Sequence, residues 1–157
     1  MNITLQFSLE DAISSRAIAW FGQGHFSHVD CVLPSGELLG ARSDFVGGKP
    51  SGVQVRPYGY AKFKIAKQMV IPATEAQEHN YYVFLRQQIG KPYDHAAIWG
   101  FVFDRNWREA DSWICSELQC AAGEYAHILR PLYLDTNKIV PVMAAVAYSA
   151  VGGTITP

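Results

Sequence analysis

The sequence predicts an α+β domain in which a small antiparallel sheet packs against helices, and three observations support this class. Short segments in which apolar and polar residues alternate, such as residues 3–7, are typical of strands. Longer segments with helical spacing, such as the one that ends near Gly90, follow them. The chain has 157 residues, 49% of them hydrophobic, which is enough for one compact core and too few for two. We therefore expect residues 1–157 to form a single domain.

The segment after the first strand predicts a helix and then a hairpin. Ser8, with an aspartate three positions later, resembles a capping box, which favours a helix that runs to about Trp20. Residues 25–33 have the character of a strand, a Pro-Ser-Gly turn follows, and residues 37–42 are the predicted return strand. His28 is therefore predicted to lie on a hairpin strand.

The middle of the chain predicts a loop, two strands and a helix. Residues 43–52 are rich in glycine and indicate a surface loop, and strands are expected at residues 53–56 and 62–71. Thr74 with Gln77 is a second candidate capping box. It opens a segment of helical spacing that Gly90 ends.

The last third of the sequence predicts two helices. Residues 95–113 are rich in aromatic side chains but have no sustained period, so we expect short helical turns and loops packed over a pocket. A helix is predicted to begin at Cys115, and Pro131 breaks the chain after it. Residues 139–151 predict a mostly buried last helix, and residues 154–157 a frayed tail.

The charge pattern excludes several classes of partner. The formal net charge is −1 and no block of like charges occurs, so neither nucleic acid nor an anionic lipid surface is favoured. Neither a signal peptide nor a membrane span is evident. We therefore expect a protein that is cytoplasmic as synthesised, with phage-type or other non-classical delivery left open. Its oligomeric state is not predicted.

The cysteines and histidines do not predict a disulfide framework or a metal site. Cys31, Cys115 and Cys120 are odd in number and include no C-x-x-C pair, so at least one thiol should be free. His25, His28 and Cys31 are spaced by threes, but on a strand that spacing alternates between faces, and no fourth ligand is evident. No metal and no other cofactor is expected.

Cys115 is the candidate nucleophile. It lies where a short extended approach turns into a helix, and the unpaired N–H groups and the dipole of a helix start stabilise a thiolate. A cysteine nucleophile also needs an imidazole within hydrogen-bond reach, and His28 is the candidate base because a neighbouring strand can fix its ring. The alternative is that Cys115 packs in the core as a small hydrophobe.

Three motifs together resemble a known family. His28 on a hairpin strand, the GKPYD turn that contains Tyr93, and WICSEL around Cys115 are similar to the circularly permuted branch of the NlpC-type, papain-like cysteine hydrolases. The resemblance spans roughly residues 26–122. It implies a papain-like fold in circularly permuted order, with the histidine strand before the cysteine helix. It further implies that Cys115 is the nucleophile, that His28 is the base, and that Tyr93 helps the Cys115 N–H to stabilise the oxyanion.

The sequence departs from this family at one point of the expected site. The third polar residue is expected on the strand after the histidine strand, where this chain has Gly40, which cannot orient an imidazole. Asp44, Ser43, Gln54, a backbone carbonyl or no group at all are the alternatives. The third catalytic group is therefore left open.

These features predict a cysteine hydrolase that cleaves an amide bond through a thioester intermediate. The resemblance suggests a peptide substrate such as that of the bacterial cell wall. One alternative is an acyltransferase or thioesterase that acts on lipid acyl groups through the same thioester chemistry. The other is a catalytically degraded binding module of the same fold, and Gly40 is the feature that favours it.

Overall fold

A computed structural model describes residues 1–10, 25–95, 112–132 and 139–156 of the chain. Within those residues, six antiparallel strands form one sheet, and three α-helices accompany it. The α+β prediction is therefore confirmed. The segment from 11 to Trp20, where a helix was expected, and most of the aromatic segment 95–113 lie outside the described residues.

The sheet has the order β4-β3-β2-β1-β5-β6. Its strands are β1 (Asn2–Glu10), β2 (His28–Val32), β3 (Leu38–Arg42), β4 (Gly52–Arg56), β5 (Phe63–Pro72) and β6 (Thr154–Ile155). The helices are α1 (Glu75–Gln88), α2 (Cys115–Tyr125) and α3 (Pro141–Ala150), with a 3-10 turn at Arg130–Leu132. The long strand β1 lies between β2 and β5, so it links the hairpin that carries His28 to the rest of the sheet.

The two faces of the sheet differ in chemistry because side chains alternate along each strand. One face forms a fully buried apolar core with the helices, and it includes Leu5, Phe7, Val29, Cys31, Leu39, Tyr81, Leu118 and Cys120. The other face carries buried polar side chains, namely Gln6, Ser8, His28, Asp30 and Arg56. Such side chains are costly to bury unless they find partners, so this face is where a site is expected.

The start and the length of α1 agree with the sequence. The side chain of Thr74 accepts a hydrogen bond from the backbone N–H of Gln77, and the side chain of Gln77 accepts one from the N–H of Thr74. This is the predicted capping box. Gly90, just after the helix, has φ +90°, a left-handed conformation that glycine adopts at little cost.

The predicted helix start at Ser8 is wrong. Ser8 lies inside β1 and pairs with His28 on one side and Ala66 on the other. A serine followed by an acidic residue three positions later is a short pattern, and two neighbouring strands outweigh it by pairing with both edges of β1. As a result, β1 extends to Glu10.

The predicted fraying of residues 154–157 is also wrong for the described part of that tail. Ile155 pairs with Met69 and Thr154 with Val70, and the backbone N–H of Thr156 donates to the carbonyl of Gln68 over 2.8 Å. These backbone hydrogen bonds bind the tail to the outer edge of β5. A short edge strand of two residues leaves little signal in a sequence.

Candidate active site

A chain of polar contacts surrounds the ring of His28, the first residue of β2. Asp30 lies two residues later on the same face of the strand, and its Oδ1 is 2.9 Å from Nε2 of His28. Tyr60, in the turn between β4 and β5, donates its hydroxyl hydrogen to Oδ2 of Asp30 over 2.8 Å. The Tyr60 Oη atom also lies 3.1 Å from His28 Nε2. Nε2 therefore faces both an acid and a phenol oxygen.

These contacts assign the hydrogen on the ring. Because the Tyr60 hydroxyl gives its hydrogen to Asp30, its oxygen is free to accept the N–H of His28 Nε2. Nε2 therefore carries a hydrogen, and Nδ1 is the nitrogen left to interact with Cys115. An imidazole with one nitrogen held by an acid and the other directed at a thiol is the arrangement that cysteine nucleophiles use.

Cys115 is the first residue of α2, and the residue before it, Ile114, has the extended backbone conformation of a helix N-cap. The chain therefore turns into the helix at the sulfur, as the sequence predicts. The N–H groups of this first turn and the helix dipole favour negative charge there. The charge of Cys115 and its hydrogen bonding contribute to raising the pKa of His28, so the two side chains lie close enough to interact. The structure thus brings together the two residues on which the predicted chemistry depends.

The electrostatic surroundings hold the His28 ring in its charged form. Burial on its own would lower the pKa of His28, but the negative charges of Asp30 and Cys115 and the hydrogen bonds to both outweigh burial and raise it to about 10. Burial would raise the pKa of Asp30, yet the charge of His28 and the hydrogen bonds from His28 and Tyr60 lower it. Around neutral pH, His28 is therefore an imidazolium paired with a carboxylate.

Gly40 has an unexpected part in this arrangement. A Cβ atom built on Gly40 would lie 1.9 Å from Oδ1 of Asp30, far inside van der Waals contact. The neighbouring strand β3 therefore leaves the space that the Asp30 carboxylate occupies. Gly40 stands where the third polar residue was expected, and its missing side chain allows Asp30 to reach His28 from within β2.

The other residues considered for the third position serve elsewhere. Asp44 accepts two hydrogen bonds from Arg42, each over 2.9 Å. Ser43 is exposed, and Gln54 lies on β4 opposite Gly40. In the part of the chain that the structure describes, none of these three contacts the His28 ring. Asp30 is the residue that the sequence reasoning missed.

Tyr93 is held near Cys115 by a short parallel bridge. Trp113 donates its backbone N–H to the carbonyl of Pro92 and accepts from the N–H of Asp94, each over 3.1 Å. This bridge places the turn that contains Tyr93 along the extended approach to Cys115. Burial raises the pKa of Tyr93 well above its usual value, and the charge of Cys115 raises it further. The phenol therefore keeps its hydrogen and can donate it.

Gln119, one helical turn after Cys115, anchors α2 to the sheet. Its Nε2 donates to the carbonyl of Leu39 over 3.0 Å, next to Gly40. Its Oε1 accepts from Tyr81 over 2.7 Å, and its backbone carbonyl accepts from Tyr148 over 2.6 Å. Since all three side chains are buried, these hydrogen bonds fix the position of the helix that carries the sulfur.

The described residues contain no group of three His, Cys, Asp or Glu side chains that could hold a metal ion. Cys31, which the spacing by threes associates with His28, lies on the apolar face of the sheet, opposite to His28. Each helix in the described residues, moreover, is too short or too polar to span a membrane.

Comparison with known proteins supports the fold and gives no information about function. No family model matches the chain, and no curated protein matches it. A solved structure that does match is the metalloprotein yiiX from Escherichia coli O157:H7, described as DUF1105, with a TM-score of 0.55 and 19% sequence identity. The match covers 78% of this chain but 64% of that one, so the chain spans less than two-thirds of the length of yiiX. At this identity the likeness concerns the fold alone.

Proposed function

We propose that the protein is a cysteine hydrolase that cleaves an amide bond through a thioester intermediate on Cys115. The observation that supports this most strongly is the contact chain from Asp30 and Tyr60 through His28 to a cysteine at a helix start. Along the chain, the histidine strand β2 comes before the cysteine helix α2, which is consistent with the permuted papain-like order that the resemblance implies. We propose that order for the whole domain.

In the first step, the Cys115 thiolate attacks the carbonyl carbon of the substrate. A carbon–sulfur bond forms, and the electron pair of the carbonyl moves to its oxygen. The backbone N–H of Cys115 and the Tyr93 hydroxyl are the donors that stabilise this oxyanion. Because the pKa of His28 is raised to about 10, its ring enters this step already protonated.

In the second step, the oxyanion collapses and the carbon–nitrogen bond breaks. His28 donates its proton to the departing amine, and the acyl group stays on Cys115 as a thioester. The neutral His28 then accepts a proton from water, whose oxygen attacks the thioester. The thiolate leaves, the acid product is released, and the imidazolium is restored. His28 thus acts first as an acid and then as a base.

The contact between Asp30 and His28 makes the alternative of a degraded binding module less favoured. A degraded binding module was favoured by Gly40, because a glycine there removes the expected orienting group. Since Asp30 contacts His28 and would collide with a larger residue at position 40, that glycine is compatible with a complete site. An acyltransferase or thioesterase remains the second candidate, because it would use the same sulfur, ring and oxyanion donors.

The test is a single-turnover experiment with two substrate classes. Synthetic cell-wall peptides and long-chain acyl thioesters are incubated with the protein, quenched in acid and analysed by mass spectrometry for an acyl adduct on Cys115. We expect a peptidyl adduct that disappears in Cys115→Ala and persists in Cys120→Ala, which removes a cysteine of the same helix. An adduct from the acyl thioesters alone would favour the acyltransferase or thioesterase. Adduct on neither substrate would contradict the hydrolase proposal for these classes. We also propose that the protein is cytoplasmic as synthesised, with either a cytoplasmic substrate or phage-type delivery to a cell-wall substrate.

A further inference from the structure

Tyr60 is enclosed by two arginines. The guanidinium carbon of Arg42 lies 5.5 Å from the centre of the Tyr60 ring, and that of Arg56 lies 5.7 Å from it. Both distances fall in the range of cation–π attraction, which is stronger away from water. The tyrosine ring is therefore held by two cations at the same time as its hydroxyl contacts His28 and Asp30.

Arg56 is fully buried and holds a loop of the chain against this ring. Its guanidinium donates to the backbone carbonyls of Gly40 (3.3 Å), Val46 (3.3 Å) and Pro50 (2.8 Å). Gly47, in the same loop, has φ +63°, and a Cβ built on it would lie 2.7 Å from Cβ of Tyr60. The loop backbone thus packs directly against the tyrosine.

Arg42 connects the ring to two further segments. Its guanidinium is hydrogen-bonded to both carboxylate oxygens of Glu10, at the end of β1, and to the carboxylate of Asp44, in the loop after β3. Two carboxylates fix the position of this cation, because charge-assisted and bidentate contacts of arginine are strong and directional. Tyr60 therefore rests against groups that are themselves immobilised.

We propose that Tyr60 is a positioning residue that holds the His28 ring with Nε2 toward Asp30 and Nδ1 toward Cys115, and that Arg42 and Arg56 hold Tyr60 in place. This inference rests on the proposed function, since it assigns Tyr60 a role in that site. A ring flip of His28 would place a C–H group against the Tyr60 oxygen and Asp30, leaving buried polar atoms unpaired. The hydroxyl of Tyr60 thus selects one ring orientation without touching the substrate.

Tyr60→Phe tests this inference, because it removes the hydroxyl and keeps the ring between the arginines. Tyr58→Phe is the matched control, since Tyr58 lies two residues away in the same turn with 62% of its surface exposed. The first readout is the nitrogen NMR signal of His28 in protein labelled with nitrogen-15 histidine, assigned through His28→Gln. The second is the rate at which iodoacetamide alkylates Cys115 between pH 5 and 9.

We expect Tyr60→Phe to change the Nε2 signal and to lower the alkylation rate near pH 6 by about tenfold, the effect of losing one hydrogen bond to a charged pair. The rate profile should move toward that of a free thiol, whereas Tyr58→Phe should match the wild type. A purely structural role would lower stability and leave the Nε2 signal and the shape of the profile unchanged. That result would overturn the inference.

The outcomes separate this inference from the proposed function. If wild-type Cys115 reacts no faster than a free cysteine near pH 6, the nucleophile is not activated and the hydrolase proposal fails, while the Nε2 signal still decides whether Tyr60 holds the ring. If Cys115 is reactive and Tyr60→Phe changes neither readout, only the role of Tyr60 fails. Should Tyr60→Phe not fold, 3,5-difluorotyrosine at position 60 keeps the hydroxyl and changes its strength as a donor. An unchanged Nε2 signal in that variant would overturn the inference.

Discussion

Asp30 contacts His28 from two residues along the same strand, with Oδ1 of the acid 2.9 Å from Nε2 of the ring. The acid that faces the imidazole is therefore supplied by β2 itself. This contact and the hydrogen bond from Tyr60 to Asp30 make the acid the main source of negative charge at the ring.

Asp30→Asn should weaken the charged form of His28. The amide has the shape of the acid but no charge, so the pKa of His28 should fall from about 10 toward its usual range. We expect the alkylation rate of Cys115 near pH 6 to drop about ten- to a hundredfold, the effect of removing a charge 2.9 Å from the ring. Glu37→Gln, which neutralises an exposed acid on the same hairpin, is the control. Equal rates in Asp30→Asn and the wild type would show that Asp30 does not act on the ring.

Gly40→Ala should displace Asp30 from His28. The added methyl group would lie 1.9 Å from Asp30 Oδ1, so the carboxylate or the strand must move, at a cost of about 1–3 kcal/mol in the free energy of unfolding. The double variant Asp30→Ala/Gly40→Ala removes the collision and should recover stability but not the reactivity of Cys115. Denaturation in urea combined with alkylation rates measures both quantities. Additive losses of stability in the double variant would contradict the steric explanation.

The stability of the protein should fall at alkaline pH because of His28. Its pKa is about 10 in the folded protein and about 6.5 in an unfolded chain, so the stabilising effect of the protonated ring is complete below about pH 6.5 and is lost as the pH rises through about 10. The free energy of unfolding, measured in urea from pH 6 to 10.5, should fall more steeply in the wild type than in His28→Gln. Parallel curves would show that His28 is not charged in the fold.

Cys115 should be the cysteine that iodoacetamide labels in the folded protein. All three cysteines are buried, and Cys115 keeps 5% of its surface exposed whereas Cys31 and Cys120 keep none. Burial raises the pKa of the Cys31 and Cys120 thiols above the usual range, which makes them poor nucleophiles. Peptide mapping after brief labelling near pH 6 should find the modification on Cys115, and His28→Ala should abolish it. Labelling of Cys120 at a comparable rate would argue that α2 is not packed as described.

Gln119→Leu should loosen the helix that carries Cys115. The leucine removes the donor to the carbonyl of Leu39 and the Oε1 that accepts from Tyr81, whose hydroxyl keeps only the longer bond of 3.4 Å to the backbone carbonyl of residue 119. These losses should cost roughly 2–4 kcal/mol of unfolding free energy. Alkylation of Cys115 should slow as well, since the sulfur moves relative to His28. Gln77→Ala, which removes an exposed cap of α1, should lower stability by about 1 kcal/mol without affecting that rate. Equal rates in the wild type and Gln119→Leu would deny Gln119 its positioning role.

Much of the fold could be predicted from the sequence because local patterns carried it. Alternation indicated β1 and β5, strand character and turn residues indicated β2 to β4, and the Thr74 capping box marked the start of α1. Where a prediction failed, pairing at long range decided the structure. Ser8 was assigned to a helix by a four-residue pattern, whereas strands 20 and 58 residues away hold it in β1.

The candidate site could be predicted in part for the same reason. Cys115, His28 and Tyr93 belong to local motifs. Asp30 has a signal that could have been used, because residues two apart on a strand share a face. Tyr60 has none: it lies in a turn, and only the packing of a distant loop brings its hydroxyl to His28.

Gly40 contributes to the candidate site because it has no side chain. At this position the strand β3 contributes space and no functional group. Any side chain there, polar or apolar, would collide with the Asp30 carboxylate. A search for similar proteins that demands a hydrogen-bonding residue at that position would reject this chain. A search pattern of His-x-Asp on one strand and glycine on the returning strand would retrieve it, together with any protein that reaches the same geometry.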